Sequence, residues 1–149
     1  MQFPEAAHTA AALVQTPARF AFGRLSAAEF VGGWSLGSMG LQPVGPAVFK
    51  GRSLFDGSEA FVEIRPNPEL GLIDFSVGSA ERRDPRIFIR VTPGEVIARD
   101  TACCLVSLHA LRSGGATPEA WARTCVTHEA EILLIKAQLE AAYGAGDRS

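Results

Sequence analysis

The sequence predicts an α+β domain in which an antiparallel meander is covered by one long C-terminal helix. Two observations lead there. Residues 34–112 are cut into short alternating segments by Gly, Pro, Asn and Asp, the texture of antiparallel strands joined by turns. Residues 119–143 then run without Gly or Pro and repeat apolar residues at alternating steps of four and three, the spacing of one helix face.

Bulk properties set the limits. A chain of 149 residues, 47% hydrophobic with mixed charge, is expected to form a single domain over 1–149 with a core of its own. The net charge of −2 offers no basic footprint, and Arg82-Arg83 with Arg86 is too short a cluster to create one, so no nucleic-acid partner is expected. Three cysteines, two of them adjacent as Cys103-Cys104, form neither a disulfide framework nor a CxxC pair. MQFPEAAHTAAALVQTPARF lacks a charged leader with an apolar run, and no stretch of about eighteen apolar residues marks a membrane span. A reduced, cytoplasmic protein is the expectation.

The elements follow in order. Residues 8–16, HTAAALVQT, form the first expected strand, which Pro17 stops. PARFAFGRLS and AAEFVGGW follow as two short helices; Ser26 is placed to cap the second, with Glu29 completing a capping box, and Gly32-Gly33 breaks it before Trp34. GGWSLGSMG lacks the strand-to-helix setting and the Lys-Ser/Thr ending of a phosphate loop, so it reads as a turn or cavity rim.

Strands are expected in PAVFKGRSLF, EAFVEIRP, GLIDFSVG, RIFIRVTP and TACCLVSLHALR. Asp56-Gly57 permits positive φ between two of them, and PNPELG cannot continue a ladder. Alternation places Ala60, Val62 and Ile64 on one face, as it does Ile73, Phe75 and Val77, and Ile87, Ile89 and Val91. Glu63, Arg65, Asp74 and Arg90 fall opposite, mostly solvated, with one or two of them expected to turn inward and orient a polar ligand group.

The last helix is expected over about 117–143. Thr117 can cap it, Pro118 suits the first turn, where no amide donor is needed, and Glu119 complements the positive end of the helix dipole. At about 26 residues it would span roughly 39 Å, enough to cross a sheet, before Gly144 stops it. Trp121, Cys125, His128, Ile132, Ile135 and Leu139 share one face, with a histidine in the middle of the seam. A second apolar stripe, Val126, Ala130, Leu133 and Ala137, lies more than a quarter turn away, and Glu129, Lys136 and Glu140 occupy the arc between.

This order of strand, two short helices, meander and long helix resembles the helix-grip fold. VQTPARFAFGRLS is similar to the opening strand and helix of the START-related SRPBCC superfamily, which includes polyketide cyclase/dehydrase-like proteins and lipid-transfer domains. THEAEILLIKAQLE looks like the C-terminal helix of its bacterial members. The resemblance covers nearly the whole chain. It implies a curved sheet wrapped around the long helix, with a mostly apolar cavity between them for small hydrophobic molecules.

His128 then has three readings. It is a core histidine satisfied by a neighbouring carbonyl, a cavity-facing hydrogen bonder to a ligand, or a general acid or base. Neither HxH nor HExxH occurs among the three histidines, so no metal site is expected, and no cofactor motif is present. Cys125 on a helical seam reads as a small buried hydrophobe rather than a nucleophile. Trp34 is either an anchor between helix and sheet or a cover over a ligand.

The leading expectation is a binding or carrier protein for a small hydrophobic ligand, with Trp34, Asp74, Arg90, Trp121, Cys125, His128 and Ile132 as candidate ligand-binding residues. A cyclase- or hydratase-like enzyme would use His128 as the catalytic group, with Asp74 or Arg90 converging on it. A homodimer would bury the stripe through Leu133.

Overall fold

A computed structural model describes residues 5–146. Residues 1–4 and 147–149 of the expected domain, including the opening of the segment read as leaderless, lie outside the described residues. The elements are β1 (Ala7–Val14), α1 (Ala18–Leu25), α2 (Ala28–Val31), β2 (Met39–Gly45), β3 (Val48–Arg52), β4 (Glu59–Asn67), β5 (Leu72–Gly78), β6 (Arg83–Pro93), β7 (Cys104–Leu111) and α3 (Pro118–Gly144).

All seven strands form one curved antiparallel sheet in the order β1-β7-β6-β5-β4-β3-β2. The first strand therefore pairs with the last, Ala7 opposite Leu111 and Val14 opposite Cys104. The alternation expected in β4 to β6 sets the inner face: Val62, Ile64, Ile73, Phe75, Ile89 and Val91 are buried. Burial of each such side chain is worth roughly 1.5–3 kcal/mol.

Three sequence expectations are corrected. Ser26 does not cap α2. Its hydroxyl donates to Phe22 O at 2.8 Å and closes α1, while Ala27 begins α2 without a side-chain cap. The segment read only as a turn or rim runs on into a strand, β2, which the sequence hides because it is a one-sided edge strand carrying Gly40 and Pro43. It lies so close to its neighbours that a Cβ on Gly51 would sit 2.7 Å from Met39 O, and one on Gly32 would sit 2.6 Å from Leu41 N. Finally, β6 begins earlier than expected and its register against β5 slips between Phe75 and Ser76, leaving Arg86 as an extra residue.

Helix α3 spans 27 residues, starts as expected with Ala120 N donating to Thr117 Oγ1 at 3.1 Å, and buries the whole predicted seam. It lies over β1 and β7. The charged arc beside the seam fastens it to β1. Lys136 Nζ donates to Leu13 O and to Glu140, each at 2.7 Å, and Glu140 in turn accepts from Gln15 N at 2.7 Å. His8 Nε2 lies 2.9 Å from Glu129 Oε1. No described helix is long and apolar enough to cross a membrane.

Candidate functional site

Because α3 sits over the β1–β7 end, the β4–β6 end of the curved sheet is left facing a gap. This is a cavity of about 280 Å³, floored by side chains such as Val62, Phe75, Val77 and Leu108. Two connections form its rim, the segment after α2 and the β3–β4 hairpin, and the backbone of one residue, Leu36, joins them to the helix. Leu54 N donates to Leu36 O at 2.8 Å, and Leu36 N donates to Glu131 Oε2 at 2.8 Å. At the mouth the Arg123 guanidinium stands over the Phe55 ring, 5.5 Å from its centroid.

The polar groups in this cavity are few and several are unusual. Trp34 is 3% exposed and packs edge-on against Phe75 with ring centroids 6.5 Å apart, so it anchors the rim to the sheet and also lines the cavity. His128 is 4% exposed. Trp34 Nε1 and His128 Nδ1 are buried without a hydrogen-bond partner among the described residues, an arrangement that costs roughly 1–3 kcal/mol for each group.

Burial, with the charge of His8 nearby, pushes His128 down to about 4. Burial pushes the Glu131 carboxyl up to about 7, against the opposing hydrogen bond from Leu36 N. His128 Nε2 and Glu131 Oε1 stand 3.7 Å apart. Between those two values both groups are neutral, so the contact is not an ion pair.

The predicted site residues separate. His128 and Trp34 line the cavity. Trp121 and Cys125 are buried but form a small cluster with Ala110, and Ile132 belongs to the main core; none of the three lines the cavity. The reason is rotational. At about 100° per residue the cavity-facing side chains Arg123, Thr124, Thr127 and Glu131 fan out on one side of the seam, centred roughly a quarter turn from it, and His128 sits where the two faces meet. Asp74 and Arg90 alternate with the buried Ile73, Phe75, Ile89 and Val91 and so lie on the other face of the sheet. Neither lines this cavity; Arg90 borders a second one, about 320 Å³, between α1 and the β4–β5 turn. Glu63 and Arg65 pair with each other at 2.7 Å.

The same architecture recurs in solved structures. A START superfamily protein from Mycobacterium smegmatis superposes with a TM-score of 0.60 at 11% identity, covering 91% of this chain and 99% of that one. This chain has the START-like helix-grip fold. The Aha1 dimer from Colwellia psychrerythraea matches with a TM-score of 0.67 at 12% identity, over 91% of this chain and 97% of that chain. The di-domain ARO/CYC BexL of the BE-7585A biosynthetic pathway matches with a TM-score of 0.66 at 18% identity, over 92% of this chain and 47% of that chain. No protein-family model and no curated protein sequence matches the chain.

Glu131 and Arg86 were not singled out as site residues from the sequence. Glu131 sits three residues after His128, the spacing that puts both on one side of a helix, and this is the signal that could have found it. Arg86 gave none, since simple alternation assigned it to the face opposite Ile87.

Proposed function

We propose that the protein binds and carries a small, largely apolar molecule in the cavity between the sheet and α3, and that Trp34 and His128 hydrogen-bond its polar group. The observation that carries this reading is the pair of buried, unpartnered ring nitrogens on side chains lining an otherwise greasy cavity. Folding does not leave such groups unpaired without a cost, and a ligand offering hydrogen-bonding groups would satisfy both. At about 280 Å³ the cavity lies just below the range, roughly 300–1,000 Å³, that ligand pockets occupy, which favours a compact molecule over a long lipid chain. Native mass spectrometry of freshly purified protein tests it. A bound mass lost in Trp34→Phe/His128→Leu supports the reading; no adduct, with no binding of aromatic probes, overturns it.

A second reading is favoured by Glu131. A buried carboxyl at about 7, beside a neutral imidazole, is suited to proton transfer near neutral pH, as a cyclase- or hydratase-like enzyme requires. In this version Glu131, not Asp74 or Arg90, is the partner of His128. Turnover of a bound ligand that Glu131→Gln abolishes while binding persists would establish it.

Association of two copies is a third reading, favoured by the outer stripe of α3, where Val126 is 58% and Leu133 64% exposed.

A further inference from the structure

We infer that the molecule held in this cavity carries a carboxylate, and that Arg86 is the residue that receives it. The inference rests on the binding reading above and names the chemical class of its ligand.

It starts from the irregularity in β6. Phe75 pairs with Ile87 but Ser76 pairs with Pro85, so Arg86 is the extra residue of a bulge. A bulge interrupts alternation and re-aims a side chain, and here Arg86 and its neighbour Ile87 both line the cavity. The other arginines of this region are committed elsewhere. Arg83 is held by Glu63 at 2.6 Å, Arg65 also pairs with Glu63, and Arg82 pairs with Asp84 at 3.5 Å. Arg86 is half-buried, and its side chain makes no hydrogen bond or ion pair among the described residues.

The rest of the cavity does not neutralise it. Arg123, the other cation on the lining, has Phe55 beneath it and feels the exposed Asp56 nearby. Glu131 is the acid on the lining, and its burial works against the carboxylate form. His128 stays neutral. A cavity with a positive balance, partly shielded from water, favours an anion, and a guanidinium fork matches a carboxylate in two parallel hydrogen bonds. Arg86 comes from the sheet and His128 from the helix across the gap, so the ligand would direct its carboxylate toward β6 and a second polar group toward α3.

The test compares 2-naphthoate with the neutral 2-naphthalenemethanol by isothermal titration calorimetry. The wild-type protein should prefer the carboxylate by about tenfold or more. Arg86→Gln should abolish that preference while leaving the affinity for the alcohol within about twofold, and Arg123→Gln should retain it. Equal binding of the two probes by the wild type, or a preference that survives Arg86→Gln, overturns the assignment but leaves the cavity reading standing. If neither probe binds and no mass adduct is found, both fall. If Arg86→Gln also loses the alcohol, Arg86→Lys decides: it must keep part of the preference, and its loss there overturns the proposal.

Discussion

His128 Nε2 lies 3.7 Å from Glu131 Oε1, one helical turn apart, with both side chains about 5% exposed. Placing an imidazole and a carboxyl this close in a wet site would produce an ion pair. Here burial outweighs the attraction and drives the two groups apart on the pH scale, His128 to about 4 and Glu131 to about 7.

Opposed pH dependences follow. His128, lowered from 6.5, contributes stability that is present above pH 6.5 and lost as pH falls toward 4. Glu131, raised from 4.5, contributes stability that is present below pH 4.5 and lost as pH rises through about 7. In the wild type the two slopes oppose each other between these limits and the profile should be nearly flat. Glu131→Gln, which keeps an acceptor for Leu36 N, should expose the histidine and gain roughly 2–3 kcal/mol of stability as pH rises from 4.5 to 6.5. His128→Asn should show the reverse slope. Urea denaturation across this pH range measures both.

Trp34→Phe removes the unpaired Nε1 while keeping an aromatic ring against Phe75. The relief of a buried unsatisfied donor and the loss of ring volume act against each other, so the ligand-free protein should change by no more than about 1 kcal/mol. Ligand affinity should fall about fivefold or more. Fluorescence quenching by ligand should also disappear in this variant, because the remaining tryptophan, Trp121, lies outside the cavity.

Phe55 and Arg123 meet across the cavity mouth, and Phe55 is 49% exposed. A contact of this kind at an exposed site is worth roughly 0.5–1 kcal/mol. Phe55→Ala should therefore raise the rate of ligand dissociation about two- to fivefold with little change in thermal stability. Stopped-flow displacement would read it, and an unchanged rate would mean that the ligand leaves by another route.

If two copies associate through the outer stripe of α3, Leu133→Glu should convert a dimer into a monomer in sedimentation equilibrium while leaving the fold intact, since Leu133 is exposed in the single chain. A wild-type protein that is already monomeric across the concentration range rules this association out.

Much of the fold was legible because its signals are local and periodic. The seam from Trp121 to Leu139 is buried throughout, and the inner faces of β4 and β5 follow simple alternation. Thr117 and Pro118 announced the start of α3 through the demands of its first turn. What failed was either irregular or one-sided. Pairing on one side only lets β2 carry Gly40 and Pro43, so it left no strand pattern, and Ser26 bonded backward to Phe22 rather than forward. The bulge at Arg86 shifts a parity that sequence counting assumes is constant.

The candidate site was legible only at His128 and Trp34. Periodicity finds the face of a helix that is buried against a sheet, so it led to Trp121, Cys125 and Ile132, which are core. The cavity side of α3 bears Arg123, Thr124, Thr127 and Glu131, a polar arc that in sequence is indistinguishable from a solvated surface. The amino-acid order by itself determined which elements form and which residues they bury, because those are decided within a few turns or a single strand. Only the tertiary structure decided that the curved sheet leaves its β4–β6 end uncovered. That gap depends on where α3 comes to rest, and β1 with Gln15 just after it holds Glu129, Lys136 and Glu140 from more than a hundred residues away in the chain.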